Sequence, residues 1–345
     1  MEAITEGKAI IKATKPKVVS KQMEVFYNPV MELNRSLSVL LLKSIPESKL
    51  RIALPLAASG IRGIRLIKEL PASKINEISF NDYGIKFKQN LEKNLKLNKI
   101  KLNKKIKVHN QDANLFLLES SGFDYIDIDP FGPPILFLDS AVKRIARNGI
   151  LAVTATDTAA LCGTYADACK RKYWAVPLRN DIMHEFGLRI LIRRVQLIGA
   201  QYEKALIPIL SYSREHYMRA FFRCIKGKKE VDKIVAQHHL YESAGPVWTG
   251  QLEDNAVLTK LFSNADDDKM KKFLKTLKDE SKISTIGFYD IHSLCKKLKV
   301  AIPKKPCLIK KIRKHGFKAS ETHFSPVGIR SDIAEKELIK ILKNP

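Results

Sequence analysis

The sequence predicts an α/β protein in two parts. The first is a mostly parallel, doubly wound sheet with an antiparallel terminal strand, and the second is a smaller α+β domain. Three observations predict it. Between residues 50 and 153, five short apolar segments alternate with helix-period stretches, the pattern of βαβ units around a parallel sheet. Two longer strand-like runs, 205–212 and 217–225, are separated only by Ser213-Arg214-Glu215-His216. That link is too short for a crossover and suits a hairpin. After Lys226 the composition shifts, with Lys228-Lys229 and a short helical stretch marking a boundary. Residues 1–226 are therefore expected to form the sheet domain with an N-terminal extension, and 227–345 the C-terminal domain.

The chain's 345 residues are enough for two domains, and 45% hydrophobic content is ordinary for a full core. Its 61 Lys and Arg against 36 Asp and Glu give a net charge of +25. Such an excess points to a polyanionic partner, nucleic acid ahead of an anionic membrane. Residues 1–17 are mixed and polar, and no apolar run reaches the length of a membrane helix. The expected location is therefore cytoplasmic, with no membrane partner, and a monomer is expected. The five cysteines, Cys162, Cys169, Cys224, Cys295 and Cys307, show no CxxC spacing. They fit reduced thiols rather than disulfides or a zinc site.

Residues 4–19 read as a hairpin, Ala9-Ile10-Ile11 against Val18-Val19 across Thr14-Lys15-Pro16. Phe26-Tyr27-Asn28-Pro29 leads into a helix whose apolar face carries Met31, Leu33, Leu37, Leu40 and Leu41, with Asn34 and Arg35 near its start. The first sheet strand, 50–56, runs into a small-residue loop, 57–63, containing Gly60, Arg62 and Gly63, and a helix opens at 64–70. Strand, glycine loop and helix let a backbone approach a nucleotide-like cofactor, and the helix N-terminus favours negative charge. The loop is not GxGxxG, which argues against a dinucleotide. The second strand, 75–80, ends in Asn81-Asp82-Tyr83. Asp82 either binds ribose hydroxyls or caps the helix carrying Phe87, Leu91 and Leu95. The third strand, 106–108, precedes Asp112, which either accepts from an adenine amino group or caps a helix near Leu115.

The fourth strand carries the chemistry. Residues 123–134 read Phe-Asp-Tyr-Ile-Asp-Ile-Asp-Pro-Phe-Gly-Pro-Pro. Strand formers interrupted by carboxylates end in a run that forbids further strand or helix. Asp129, Pro130 and Phe131 thus present a carboxylate, a carbonyl and an aromatic face at a sheet edge. An exocyclic amine on a base needs that set. Its lone pair is delocalised into the ring, so two acceptors on its N–H groups favour a methyl-accepting geometry, and the carboxylate can take the proton. Phe131 can stack on a base drawn out of its helix. A capping Asp before a proline-rich turn is the plain structural alternative. A helix at 135–147 and a fifth strand at 149–153 complete the alternation; 159–183 reads as irregular and 184–199 as helix.

Residues 266–282 read as a charged helix with a solvated face. Helices at 289–298 and 306–315, a strand-like 322–324, a loop through Gly328 and a last helix at 332–342 resemble a winged nucleic-acid module. Lys304, Lys305, Lys310, Lys311, Arg313 and Lys314 lie in a stretch with no acidic residue. They suit phosphate contact or form a merely solvated face.

Taken together, Val25-Phe26-Tyr27-Asn28-Pro29 with Asn34-Arg35, residues 57–65, Asp127-Ile128-Asp129-Pro130-Phe131-Gly132, Thr154-Ala155-Thr156-Asp157, Leu161-Cys162-Gly163-Thr164 and Thr322-His323-Phe324 resemble the tRNA (guanine-26-N2)-dimethyltransferase family. The resemblance implies a Rossmann-like class I methyltransferase fold and S-adenosyl-L-methionine as cofactor. It implies tRNA as partner, with N2-methyl and then N2,N2-dimethylguanosine as product. Carried onto matching positions, it implies Arg35, Arg62 or Arg65, Asp82, Asp112 and Ala113 as donor-binding residues, and Asp129 as the catalytic carboxylate framed by Pro130 and Phe131. In the small-residue loop, Gly60 and Gly63 are expected to let backbone approach the donor's methionine part. Some relatives carry a cysteine-rich zinc insertion. Residues 226–250 have no cysteine, so no metal is expected. Adenine-N6 methylation is the competing enzyme reading, because the strand end suits any exocyclic amine. A non-catalytic RNA-binding protein of the same fold is the competing class.

Overall fold

The computed structural model describes residues 2–13 and 27–343. The main sheet has seven strands, numbered here in chain order: β1 Leu50–Leu54, β2 Ile75–Asn81, β3 Ile106–His109, β4 Phe123–Ile128, β5 Ile145–Ala155, β6 Lys204–Arg214 and β7 Tyr217–Lys226. Their order across the sheet is β3-β2-β1-β4-β5-β7-β6. The pairs β3–β2, β2–β1, β1–β4 and β4–β5 are all parallel. The two-residue link between β6 and β7 reverses the chain, so that pair is a hairpin, as its spacing predicts. Strand order turns back between β1 and β4, and the crevice beyond their carboxyl ends is where such sheets bind ligands.

Both faces of a parallel sheet are covered, so its strands are nearly all apolar. Ile52, Leu54, Ile78, Phe80, Ile126, Ile128, Leu151 and Val153 are each at most 2% exposed. Five helices lead into or cross over between these strands: α1 Glu32–Ser44, α2 Ile61–Glu69, α3 Phe87–Leu97, α4 Ala113–Glu119 and α5 Ile135–Arg144. Gly63 shows how closely α2 packs. A Cβ there would sit 2.1 Å from a Phe80 ring carbon and 2.7 Å from Leu54 Cδ1. Gly63→Ala is expected to destabilise the protein by about 2 kcal/mol, overpacking outweighing Ala's better helix propensity. The check is the urea midpoint. An unchanged midpoint would contradict the packing, and Phe80→Leu in the same chain should recover part of the loss.

Three expectations change. Ala9–Ala13 does form a hairpin strand, but its partner is Glu2–Glu6; Val18, Val19, Val25 and Phe26 lie outside the described residues. The stretch read as irregular holds two short helices, Thr158–Leu161 and Ala166–Tyr173, and a further helix, Asn255–Asn264, was not foreseen. The linear cut at 226 differs from the observed grouping, in which two compact units interleave along the chain. One comprises Met1–Thr156, Val195–Ile207 and Arg219–Val235; the other comprises Asp157–Arg194, Pro208–Met218 and Ala236–Pro345.

Within the second unit, helices Ile291–Leu298, Lys305–Lys314 and Glu335–Lys343 surround a three-stranded antiparallel sheet ordered Tyr289–Asp290, Gly328–Ser331, Ala319–Glu321. The strand expected at 322–324 sits just earlier, at Ala319–Glu321. The expected loop at Gly328 is itself a strand. Their shared core includes Ile291, Leu294, Leu308, Ile312, Ile329 and Leu338. A buried ion network lies in the same unit. Glu185 accepts from Arg330 Nη2 at 2.6 Å and Arg189 Nε at 2.9 Å. Burial pushes its carboxyl up, but Arg330 and Arg189 outweigh that and hold it at about 2, against an ordinary 4.5. The stability it contributes is therefore complete above about pH 4.5 and lost as pH falls towards 2. Urea midpoints measured from pH 6 to pH 2.5 should fall in that window, and Glu185→Gln should flatten the acid limb. An identical limb in the variant would contradict the assignment.

Candidate active site

Alternation along β4 puts Tyr125, Asp127 and Asp129 on one face. The three differ in depth. Tyr125 and Asp127 are buried, while Asp129, at the strand's open end, keeps 20% of its side chain exposed. Only Asp129 can meet a substrate. Arg62, from the first turn of α2, ion-pairs with Asp129 through Nη2 and stands 3.4 Å from Asp127 through Nη1. It also donates to Ser38 Oγ at 2.8 Å.

Beneath them lies a pair that the sequence reading missed. Arg219, fully buried on β7, donates twice to Asp127, at 2.9 and 2.7 Å. It also reaches Thr154 Oγ1 at 2.8 Å and Ser38 Oγ at 3.1 Å. Tyr125 donates its hydroxyl to Asp127 as well. Burial pushes the Asp127 carboxyl up, but Arg219 and then Arg62 outweigh it and hold the carboxyl below its ordinary range. The available signal was an arginine at an inward position of an otherwise apolar strand, Tyr-Met-Arg-Ala-Phe-Phe. An unmatched buried charge demands a partner, and Asp127 was a strand carboxylate with none assigned.

The turn after β4 is zipped to the end of β5. Gly132 N donates to Thr156 Oγ1 at 2.7 Å, and Thr156 N donates to Gly132 O at 3.1 Å. Gly132 has φ +82°, a backbone that favours glycine. Pro130 is buried and Phe131 stands 37% exposed beside Asp129 in sequence.

The strand-end loops form the other wall. Asn81 ties them together, donating to Pro55 O and Gln111 O at 3.0 Å each and accepting from Gln111 N at 3.1 Å. Asp82 accepts from Ala58 N at 2.8 Å through Oδ2 and from Gly84 N at 3.0 Å through Oδ1. Each oxygen keeps a further lone pair for a hydroxyl donor. Asp112 is the N-cap of α4: its Oδ1 accepts from Asn114 N at 2.9 Å and Leu115 N at 3.1 Å, and Ala113 beside it is buried. Capping therefore uses one carboxylate oxygen and leaves Oδ2 for an amino group. Gly60 has φ +79°, and a Cβ there would lie 2.3 Å from Leu91 Cδ1. Conformation and packing already require glycine at that position.

Arg35 and Arg65 meet at Glu6. Arg35 pairs with the buried Glu6 and donates to Asn28 O at 3.0 Å. Arg65 donates to Glu6 at 2.9 Å, Ser36 Oγ at 2.9 Å and Glu69 at 2.7 Å. Of Arg62 and Arg65, the structure brings only Arg62 to Asp129. Lys304, which precedes the helix Lys305–Lys314, and Lys310 and Lys314 on it are exposed. Lys305 bonds Pro326 O and Glu321, Arg313 bonds Ala319 O, and Lys311 bonds Ile341 O. Among the described residues, no group of three or more His, Cys, Asp or Glu is placed to hold a metal, and no helix is long and apolar enough to cross a membrane.

Comparison with known proteins identifies relatives of this chain over nearly its whole length. A family model described as N2,N2-dimethylguanosine tRNA methyltransferase matches residues 7–242 and 237–343. The tRNA (guanine(26)-N(2)/guanine(27)-N(2))-dimethyltransferase of Aquifex aeolicus is 38% identical, covering 99% of this chain and 95% of its own. The tRNA (guanine(26)-N(2))-dimethyltransferase of Thermococcus kodakarensis is 37% identical over 99% of both chains. The structure of Trm1 from Pyrococcus horikoshii with S-adenosyl-L-methionine superimposes with a TM-score of 0.88 at 34% identity, over 99% of both chains. The chain belongs to the N2,N2-dimethylguanosine tRNA methyltransferase family.

Proposed function

We propose that this protein transfers methyl groups from S-adenosyl-L-methionine to the exocyclic N2 of guanosine 26 of tRNA, giving N2-methyl- and then N2,N2-dimethylguanosine. The observation that carries the reading is Asp129, partly exposed at the end of β4 beside the strand-order reversal and held by Arg62. The strand-end loops fit the donor. Asp82 has lone pairs for ribose hydroxyls, Asp112 Oδ2 and the Ala113 backbone suit an adenine edge, and Arg35 or Arg62 supplies positive charge for a carboxylate. When bound, the donor supplies an electrophilic methyl on a sulfonium.

The rest belongs to this chain. Asp129 and the Pro130 carbonyl accept from the guanine amino group, and the pull on both N–H bonds returns electron density to nitrogen. As nitrogen gains the methyl it becomes cationic, and Asp129 takes its proton. Arg62 fixes the carboxylate's position, and Phe131 offers a face to the flipped base. Residues 227–345, through Lys304, Lys310 and Lys314 first and Lys305, Lys311 and Arg313 beside them, grip tRNA phosphates and set register. In this reading the protein is cytoplasmic and acts as a monomer without metal.

The test is transfer from labelled S-adenosyl-L-methionine to an unmodified tRNA transcript, with the nucleosides identified by mass. N2-methylguanosine appearing first and N2,N2-dimethylguanosine after it is the expected course. Label on adenosine, or none at all, would contradict the reading.

A further inference from the structure

Trp174 is an exposed tryptophan with a cation beneath it. It ends the helix Ala166–Tyr173 in the left-handed conformation, φ 55° and ψ 45°, which glycine adopts freely and tryptophan does not. The indole is 53% exposed. The guanidinium of Arg194 lies over one face, 3.5 Å from the ring centroid, so the opposite face is the open one. Arg193 Nη1 donates to Trp174 O at 3.2 Å, and Trp174 N donates to Lys170 O at 3.0 Å. The ring is thus held in place rather than free to fold back.

The charge around it is not balanced. Arg193 Nε and Arg194 Nε and Nη1 are buried without hydrogen-bond partners. Burial pulls both guanidiniums below their ordinary range, and no carboxylate opposes it. The two nearby acids are already engaged, Asp167 with Lys170 at 3.4 Å and Asp157 with Lys172 at 3.5 Å. Arg171, exposed on the same helix end, makes no ion pair among the described residues. Positive charge that is buried, as on Arg194, or partly buried, as on Arg193, is unfavourable without a counter-charge and becomes favourable beside a polyanion. A strained backbone, a rigid exposed indole and uncompensated arginines occupy one place, and one partner accounts for all three.

We propose that Trp174, backed by Arg194, is a stacking platform for an unpaired nucleobase of the bound RNA, with Arg193 and Arg171 meeting the flanking phosphates. It is a second grip on tRNA, separate from the Lys304–Lys314 patch, and it rests on the reading that tRNA is the substrate. Stacking on an aromatic is tolerant of base identity, so the platform adds affinity rather than base choice.

The substitution Trp174→Gly separates this role from a structural one, because glycine relaxes the left-handed backbone and the fold should gain rather than lose stability. With the full-length protein and a tRNA transcript as probe, W174G is expected to bind roughly 5- to 100-fold more weakly. Its rate at saturating tRNA should be unchanged. Trp174→Phe should retain part of the affinity and Trp174→Leu almost none of it. Arg171→Ala should weaken binding and reduce the salt slope by roughly 0.7–0.9. Of the two tryptophans, Trp248 is buried, so quenching of indole fluorescence by tRNA should disappear in W174G. Affinity of W174G within twofold of the parent, in a protein that still methylates tRNA, overturns the platform alone. Weakened binding by W174G with a parent that transfers no methyl supports the platform and overturns the catalytic reading.

Discussion

Asp129→Ala is expected to slow methyl transfer by roughly 10²–10⁴-fold, with tRNA and donor affinities within a few-fold of the parent. The selectivity follows from position. Asp129 stands partly open at the end of β4, so its removal strips an acceptor and a base from the site without opening the core. Arg62 keeps Ser38 at 2.8 Å and Asp127 at 3.4 Å, so its charge is not orphaned. Asp129→Asn keeps the shape and one acceptor but cannot take a proton at ordinary strength, so it should be nearly as slow. Single-turnover rates at saturating donor and tRNA, alongside calorimetric affinities, make the comparison. Equal loss of rate and tRNA affinity would remove Asp129 from the chemistry and leave it a structural residue.

Arg219→Met should act on stability instead. It leaves Asp127, 2% exposed, with Tyr125 and with Arg62 at 3.4 Å, in place of two short bidentate bonds. Breaking one side of a buried pair typically costs about 3–5 kcal/mol, a large part of the stability of most domains. The double variant Asp127→Asn with Arg219→Met removes both charges and should recover much of that loss. Urea denaturation of the two singles and the double closes the cycle. A loss under about 1 kcal/mol in Arg219→Met would contradict a buried, mutually dependent pair.

The sheet was legible because its strands are apolar runs at regular spacing, and the site because Asp129-Pro130-Phe131 cannot continue a strand. Asp112 was readable as a cap because it precedes an apolar helical run, and it is one. What escaped depends on distant partners. Arg35 and Arg65 meet at Glu6, 29 and 59 residues away, and no local pattern announces that. Arg219 reaches Asp127 across 92 residues. The glycines of the first loop read as room for a cofactor, yet Leu91 and Phe80 fill the space beside Gly60 and Gly63. The short helices at Thr158–Leu161 and Ala166–Tyr173 carry too few periodic positions to stand out. The interleaving of the two units follows from three-dimensional contacts that composition does not record.

In the proposed reaction the strand end of β4 serves one exocyclic amine, N2 of guanosine 26. A tRNA transcript carrying inosine at that position lacks only this amino group. Measured beside the guanosine transcript with labelled S-adenosyl-L-methionine, it should bind with comparable affinity and take up no label, while the guanosine transcript accumulates N2,N2-dimethylguanosine. Equal labelling of the two transcripts would contradict the claim and move the target to another atom.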